Sequence, residues 1–331
     1  MRKFFIGALG AGAIMLAGAV AQAQTVIRVT LQLPETHALG QNWMSFKQKI
    51  EERSGGSLTL QLFPSAQLFK DKEVPGAVGS GAVEAGSAYL GRFTGSVPAV
   101  DVVAIPFIFK NEAQLRAAVT QGSPLRKILD DAILKETNNR VLWWQAFGRN
   151  IYLSKGFEIR KPSDLKDKKV RTYGKIQGWT VEGLGGAPTL MSGSKQFLAY
   201  QQGAVDVGMT GTTAVQSRKL YEVMDNMTLT FDSAIEFLAV MNNDVFNGLT
   251  PEQQKIITEA AAEVEKDLRD AIYQKEVDAV EFVRDKMNVI ELTKAERAEW
   301  EQATAGVVDR FIAETGETGK QAVEAIRAAA Q

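Results

Sequence analysis

The chain of 331 residues has no cysteine and one histidine, His37. The first absence removes disulfides, thiolate metal sites and a lipid-anchored N-terminus, so stability must come from an ordinary core. The second excludes zinc sites built on histidine pairs and leaves one residue from which a serine-protease triad could be assembled. Gly-x-Ser-x-Gly and Walker A sequences are missing, as is a dinucleotide fingerprint in the mature chain. Paired carboxylates such as Asp130-Asp131 and Glu51-Glu52 fall on charged helix faces, where solvation explains them. No catalytic residue, metal or cofactor is therefore assigned. An exported hydrolase of acidic substrates stays open as an alternative, because a glycosidase needs only two distant carboxylates. Charge of one sign is lacking too: 38 Lys+Arg face 39 Asp+Glu, with no long basic run. That argues against nucleic acid as a partner.

Long apolar runs are scarce. The single one, Phe4 to Val20, follows Arg2-Lys3 and precedes Ala21-Gln22-Ala23, the pattern of a secretory signal peptide over residues 1–23 with cleavage after Ala23. No second stretch is apolar enough to span a bilayer.

What remains alternates strands and helices. Val29, Leu31 and Leu33 alternate with polar residues in a first strand, Thr25 to Leu33. Leu39, Trp43, Phe46 and Ile50 share one helical face, which Gly55-Gly56 ends. Strands over 58–63 and 83–89 flank a helix over 72–80, a βαβαβ rhythm that predicts a mostly parallel sheet. Helices over 111–121 and 124–138 follow, then an apolar strand through Val141, Leu142, Trp143 and Trp144; its adjacent tryptophans point to opposite faces, one into the core. Later come short helices over 177–184 and 193–202, strands over 205–209 and 237–242, and a very long helix from Thr250 to Lys286 that opens with a capping box, Thr250 with Gln253. A last helix starts at Thr293, with Trp300, Val307, Val308, Phe311 and Ile312 packing inward.

Arg149 and Arg171 each close a β-prone run, and strand ends of open α/β sheets are where ligands sit. A guanidinium stays charged and grips a carboxylate through two parallel hydrogen bonds. Most arginines are merely solvated, so position alone does not decide. Around them the sequence resembles the solute-binding subunits of TRAP (tripartite ATP-independent periplasmic) transporters. In that family Gly-x-Arg is followed by Pro-x-Asp-Leu-Lys-x-x-Lys-x-Arg, matched by Gly148-Arg149 and by Pro162, Asp164, Leu165, Lys166, Lys169 and Arg171. Leu184, Gly185 and Pro188, then Ala199, Gln201, Gly203 and Asp206, continue the pattern. Upstream, Pro34 with His37, Pro64 with Gln67 and Leu68, and Ile105 to Phe109 also fit, so the similarity spans nearly the whole mature chain.

The resemblance implies an α/β, two-lobed periplasmic binding protein fold (type II-like) with a long helix spanning both lobes. Lobe I is expected over 24–147 plus 236–275 and lobe II over 148–235 plus 276–331. It implies a monomer that captures a small organic acid by closure and delivers it to the small and large TRAP membrane subunits. Arg171 and Arg149 are the expected clamp, with Thr210 at a third strand end. Thr210 stands where many members carry an asparagine, which counts against their sialic acid and C4-dicarboxylate substrates. Phe147, Trp179 and Met209 would suit a less polar, aromatic acid. Tyr89, Phe107 and His37 complete the candidates, each with a plain packing or hydrogen-bonding alternative, while Arg92 is expected to be solvated. An ABC-type importer's binding protein, or a sensor's ligand-capture partner, is the nearer alternative.

Overall fold

The computed structural model describes residues 24–329, so the expected signal peptide and its cleavage point lie outside the described residues. The chain opens β1 (Thr25–Leu31), α1 (Ala38–Arg53), β2 (Leu58–Phe63), α2 (Val74–Gly79), β3 (Ala85–Tyr89), α3 (Glu112–Val119) and α4 (Pro124–Thr137). His37 caps α1 by accepting from Leu39 N, and Gly55 and Gly56 terminate it with left-handed φ of 58° and 82°. The next strand, β4, is much longer than its apolar start suggests, at 16 residues from Asn139 to Ser154. Then follow β5 (Lys169–Thr172), α5 (Lys175–Gly183), β6 (Ala187–Leu190), α6 (Gln196–Gln201), β7 (Val207–Gly211), α7 (Thr212–Ser217), β8 (Asn226–Leu229) and β9 (Ala234–Asn242). The chain ends α8 (Asn243–Gly248), α9 (Pro251–Val283), β10 (Asn288–Glu291), α10 (Lys294–Thr304) and α11 (Gly306–Ala328).

The strands join in the order β2-β1-β3-β9-β4-β7-β5-β6, with β8 beside β4 and β10 beside β8. The sheet is mixed rather than mostly parallel. The βαβ units pair parallel, but β9 runs antiparallel to both β3 and β4, and β4 antiparallel to β7 and β8. β4 changes partner in mid-course, lying along β9 up to Arg149 and along β7 from Asn150. The two halves of the fold are joined through this strand. Both tryptophans of β4 are fully buried because its first half is covered on both faces: Trp143 packs with Trp43 and Phe46, Trp144 with the core of α4 and α11.

α9 forms because Thr250 and Gln253 complete the expected capping box and Pro251 occupies the first turn. Its 33 residues reach about 50 Å at 1.5 Å per residue. The last expected helix is two. α10 ends at Thr304, and α11, whose Gly316 (φ 62°) breaks its regularity, packs Phe311, Val323 and Ile326 into the core beside α4 and the 3-10 turn Pro98–Ala104. Residues 306–328 thus share a core with α4 and that turn, segments expected in lobe I, and with Ile176 and Trp179 of α5.

Candidate functional site

Between the halves lies a nearly closed cleft, a void of about 30 Å3 touched by Arg171, Arg218, Tyr89, Phe147, Thr210 and Asp71, among others. Strand alternation puts Arg171 and Tyr173 on one side of the chain leaving β5, so the tyrosine was readable from the arginine. Arg171 is 2% exposed and is held by carbonyls: Nε and Nη2 donate to Met191 O at 3.1 and 2.8 Å, and Nη1 donates to Met209 O. With its amide turned to satisfy both partners, Gln196 presents its oxygen 3.1 Å from Nη2. These oxygens fix the fork but leave its charge uncompensated.

Arg218, just past α7, is the second cation. It is half-buried, and its guanidinium lies over Gly193 and, among the described residues, has no ion pair or hydrogen bond. Burial and then the neighbouring Arg171 push its guanidinium down to about 10, so it remains charged at neutral pH. Arg92 is the third and is not solvated as expected: its side chain is 10% exposed and Nε meets Asp71 Oδ2 at 2.8 Å. Asp71 also accepts from Ser192 Oγ at 2.9 Å, and Gln32 Nε2 donates to that hydroxyl at 3.0 Å, so the rims touch across the cleft. Three cations thus face one carboxylate.

The apolar wall is an aromatic row. His37 stacks on Phe147 at 5.1 Å, Phe147 on Phe237 at 5.2 Å, and Tyr89 meets Phe237 and Tyr173 edge-on. His37 stands behind this wall. Its Nδ1 accepts from Leu39 N, so Nε2 carries the proton and donates to Thr213 Oγ1 at 3.2 Å. Burial, with Arg218 and Lys275 nearby, lowers its pKa to about 3 and keeps it neutral.

Three candidates stand elsewhere. Phe107 has φ 55°, donates its N–H to Asp232 O and packs under Arg297. Trp179 lies between Lys175 and Arg310, 4.7 and 4.2 Å from its ring centroid, against α11. Arg149 is turned away by a bulge. Ala146 pairs with Glu236 and Gly148 with Ile235, so Phe147 is an extra residue and the alternation beyond it slips by one. Gly148, at φ 119°, supplies the backbone conformation a side chain would resist. Arg149 then faces the opposite side of β4, where its N–H and Nε both meet Glu276 at 2.8 and 3.1 Å. The third place of the strict Gly-x-Arg pattern is taken by Asn150, which donates to Asp232 and accepts from Tyr173 Oη.

Sequence reasoning missed Arg218, Gln196 and Asp71, which come from a helix end, a short helix and a loop with no local signal of their own. Among the described residues no cluster of potential metal ligands occurs, and no helix is long and apolar enough to cross a membrane.

Residues 30–315 match the family described as bacterial extracellular solute-binding protein, family 7. The chain is similar to the C4-dicarboxylate-binding periplasmic protein DctP of Rhodobacter capsulatus, 28% identical over 99% of each chain. It also superposes on a TRAP periplasmic solute-binding protein of Sulfitobacter sp. NAS-14.1 bound to β-D-galacturonate, with TM-score 0.85 and 24% identity over 92% of this chain and 100% of that one. A relative from Sulfurospirillum deleyianum with bound succinate gives TM-score 0.85 and 21% identity over 93% and 99%. These structures have the expected two-lobed fold, and the family consists of solute receptors rather than enzymes, which removes the hydrolase alternative and the ABC-type one. The chain belongs to this family, the periplasmic solute-binding proteins of TRAP transporters.

Proposed function

We propose that the cleft captures a small organic acid, with Arg171 gripping its carboxylate and Arg218 meeting a second acceptor group. The observation that carries this reading is the excess of positive charge lining the nearly closed cleft: Arg92, Arg171 and Arg218 against Asp71 alone. Burying a cation without a counter-ion is costly, and an anionic ligand offsets that cost. Thr210 and Tyr89 supply hydroxyls, and Phe147 lies along the ligand's apolar part. Relatives bound to galacturonate and succinate support acids as the class.

One charge-assisted hydrogen bond contributes roughly 1.5–3 kcal/mol, while micromolar affinity needs about 8 kcal/mol. Closure supplies the rest by excluding water and adding contacts from both rims. The lobes, 24–147 with 236–275 and 306–328 against 148–235 with 276–305, turn about β4 and β9. The closed monomer, exported by cleavage after Ala23, then delivers the acid to the small and large membrane subunits. Arg149, which faces Glu276, is left out of the clamp.

Once a ligand is in hand, Arg171→Lys is expected to weaken its binding at least tenfold, because an ammonium cannot reproduce the fork. Arg218→Gln is expected to weaken it by a similar factor. Calorimetric titration of variants with unchanged circular dichroism checks this; unchanged affinity in both would remove the arginines from the site.

A further inference from the structure

A second cavity, of about 420 Å3, lies on the other side of β4 and β9 from this cleft. Alternation makes the relation explicit. Phe147, Ile235 and Phe237 face the cleft, whereas Ala146, Arg149, Ala234 and Glu236 face the rear cavity. The cavity is further bounded by α9, by the loop around Phe109 and Lys110, and by Arg297 of α10, so it touches both halves of the fold. Its size is that of a drug-like ligand site.

Its chemistry is selective. Most of its carboxylates are already committed: Glu236 is held by both Nη groups of Arg269 at 2.6 and 2.9 Å, Glu276 by Arg149, and Glu112 by Arg116. Asp232 accepts from Asn150 and Ser233. Cationic donors are left over. Arg149 uses only N and Nε, and no hydrogen bond among the described residues reaches its two Nη groups. Lys110 has no ion pair there either, and Arg297 keeps Nη2 unused. The cavity has aromatic lining as well: Arg149 covers the Phe231 ring at 3.8 Å and approaches that of Tyr273 at 5.5 Å, and Phe109 also lines the space.

We propose that the rear cavity is a second ligand site, for an organic monoanion with a flat apolar body, and that its occupant favours the closed cleft. The coupling follows from position. The two spaces flank the strands about which the halves turn, so an occupant that bridges Lys110 and Arg297 across the rear holds the orientation in which the front is shut. Linkage then requires that each ligand tighten the other.

The probe is 2-naphthoate, an aromatic monocarboxylate, titrated calorimetrically into the whole mature protein. Expected are saturable binding, affinity within twofold of wild type in Arg171→Gln, and at least a tenfold loss in Arg149→Gln and in Tyr273→Ala. Tyr273 is 47% exposed, so its removal spares the core. Because the chain lacks cysteine, spin labels at Lys72→Cys and Lys195→Cys on the two rims read closure directly, and the probe alone should shift their distances toward the shorter population. No saturable binding up to millimolar probe, or binding lost in Arg171→Gln and indifferent to Tyr273→Ala, would overturn the site. Binding with an unchanged distance distribution would overturn the coupling.

Discussion

At the scale of single residues, burial decides which charges the molecule can use. Asp101, on the turn after β3, is 2% exposed and its Oδ1 has no hydrogen-bond partner. Burial pushes its carboxyl up to about 7 against the pull of Lys175 and Arg92. The unfolded chain releases this proton near pH 3.8, so the contribution to stability is whole below that value and lost as pH rises through about 7. Asp101→Asn removes the dependence. Relative to the variant, the wild type is expected to lose on the order of 3 kcal/mol between pH 5 and pH 8 in urea unfolding. An equal difference at both pH values would mean that Asp101 is ionised throughout. Arg171 shows the complementary case: carbonyls position it, no carboxylate neutralises it, and its charge stays available to a ligand.

At the scale of elements, α9 is fastened to α4, β9 and β4 by one polar stripe. Glu265, Arg269, Ile272 and Glu276 recur at helical spacing, and three of them form ion pairs: Glu265 with Arg126, Arg269 with Glu236, Glu276 with Arg149. Breaking one such pair strands a buried charge. Arg269→Met is expected to cost about 3–5 kcal/mol, and Glu236→Met added to it should restore most of the loss, since an apolar pair of similar size avoids desolvation altogether. Chemical denaturation of both variants measures this; an additive double mutant would show that the pair does not act as a unit. The same element marks how far the sequence could be read. The capping box gave the start of α9, and periodicity gave α1 and β2, because those signals are local. The antiparallel entry of β9 and the split of α10 from α11 depend on distant partners. Arg149 lies on the rear face for a local reason with a visible sign: Gly148 inside a strand marks a bulge, and one extra residue reverses every side chain after it. Tyr173 lay within reach of the same alternation, whereas Arg218, just past α7, has its guanidinium over Gly193 at the cleft, a placement no local pattern marks.

At the scale of the whole molecule, the account is one of two spaces about one hinge. The front is nearly shut, with Asp71, Ser192 and Gln32 joined across its rims and positive charge in excess within. The most direct measurement of the central claim is a thermal-shift series on the mature protein with sugar acids, dicarboxylates and 2-oxo acids, each beside its uncharged amide, repeated on Arg171→Gln. A ligand at 100 times its dissociation constant adds about 2.7 kcal/mol, a rise of roughly 5 °C or more for a chain of this size. The account predicts such a rise for one class of acids, none for their amides, and none in Arg171→Gln. Equal shifts from acid and amide, or an undiminished shift in Arg171→Gln, would contradict it.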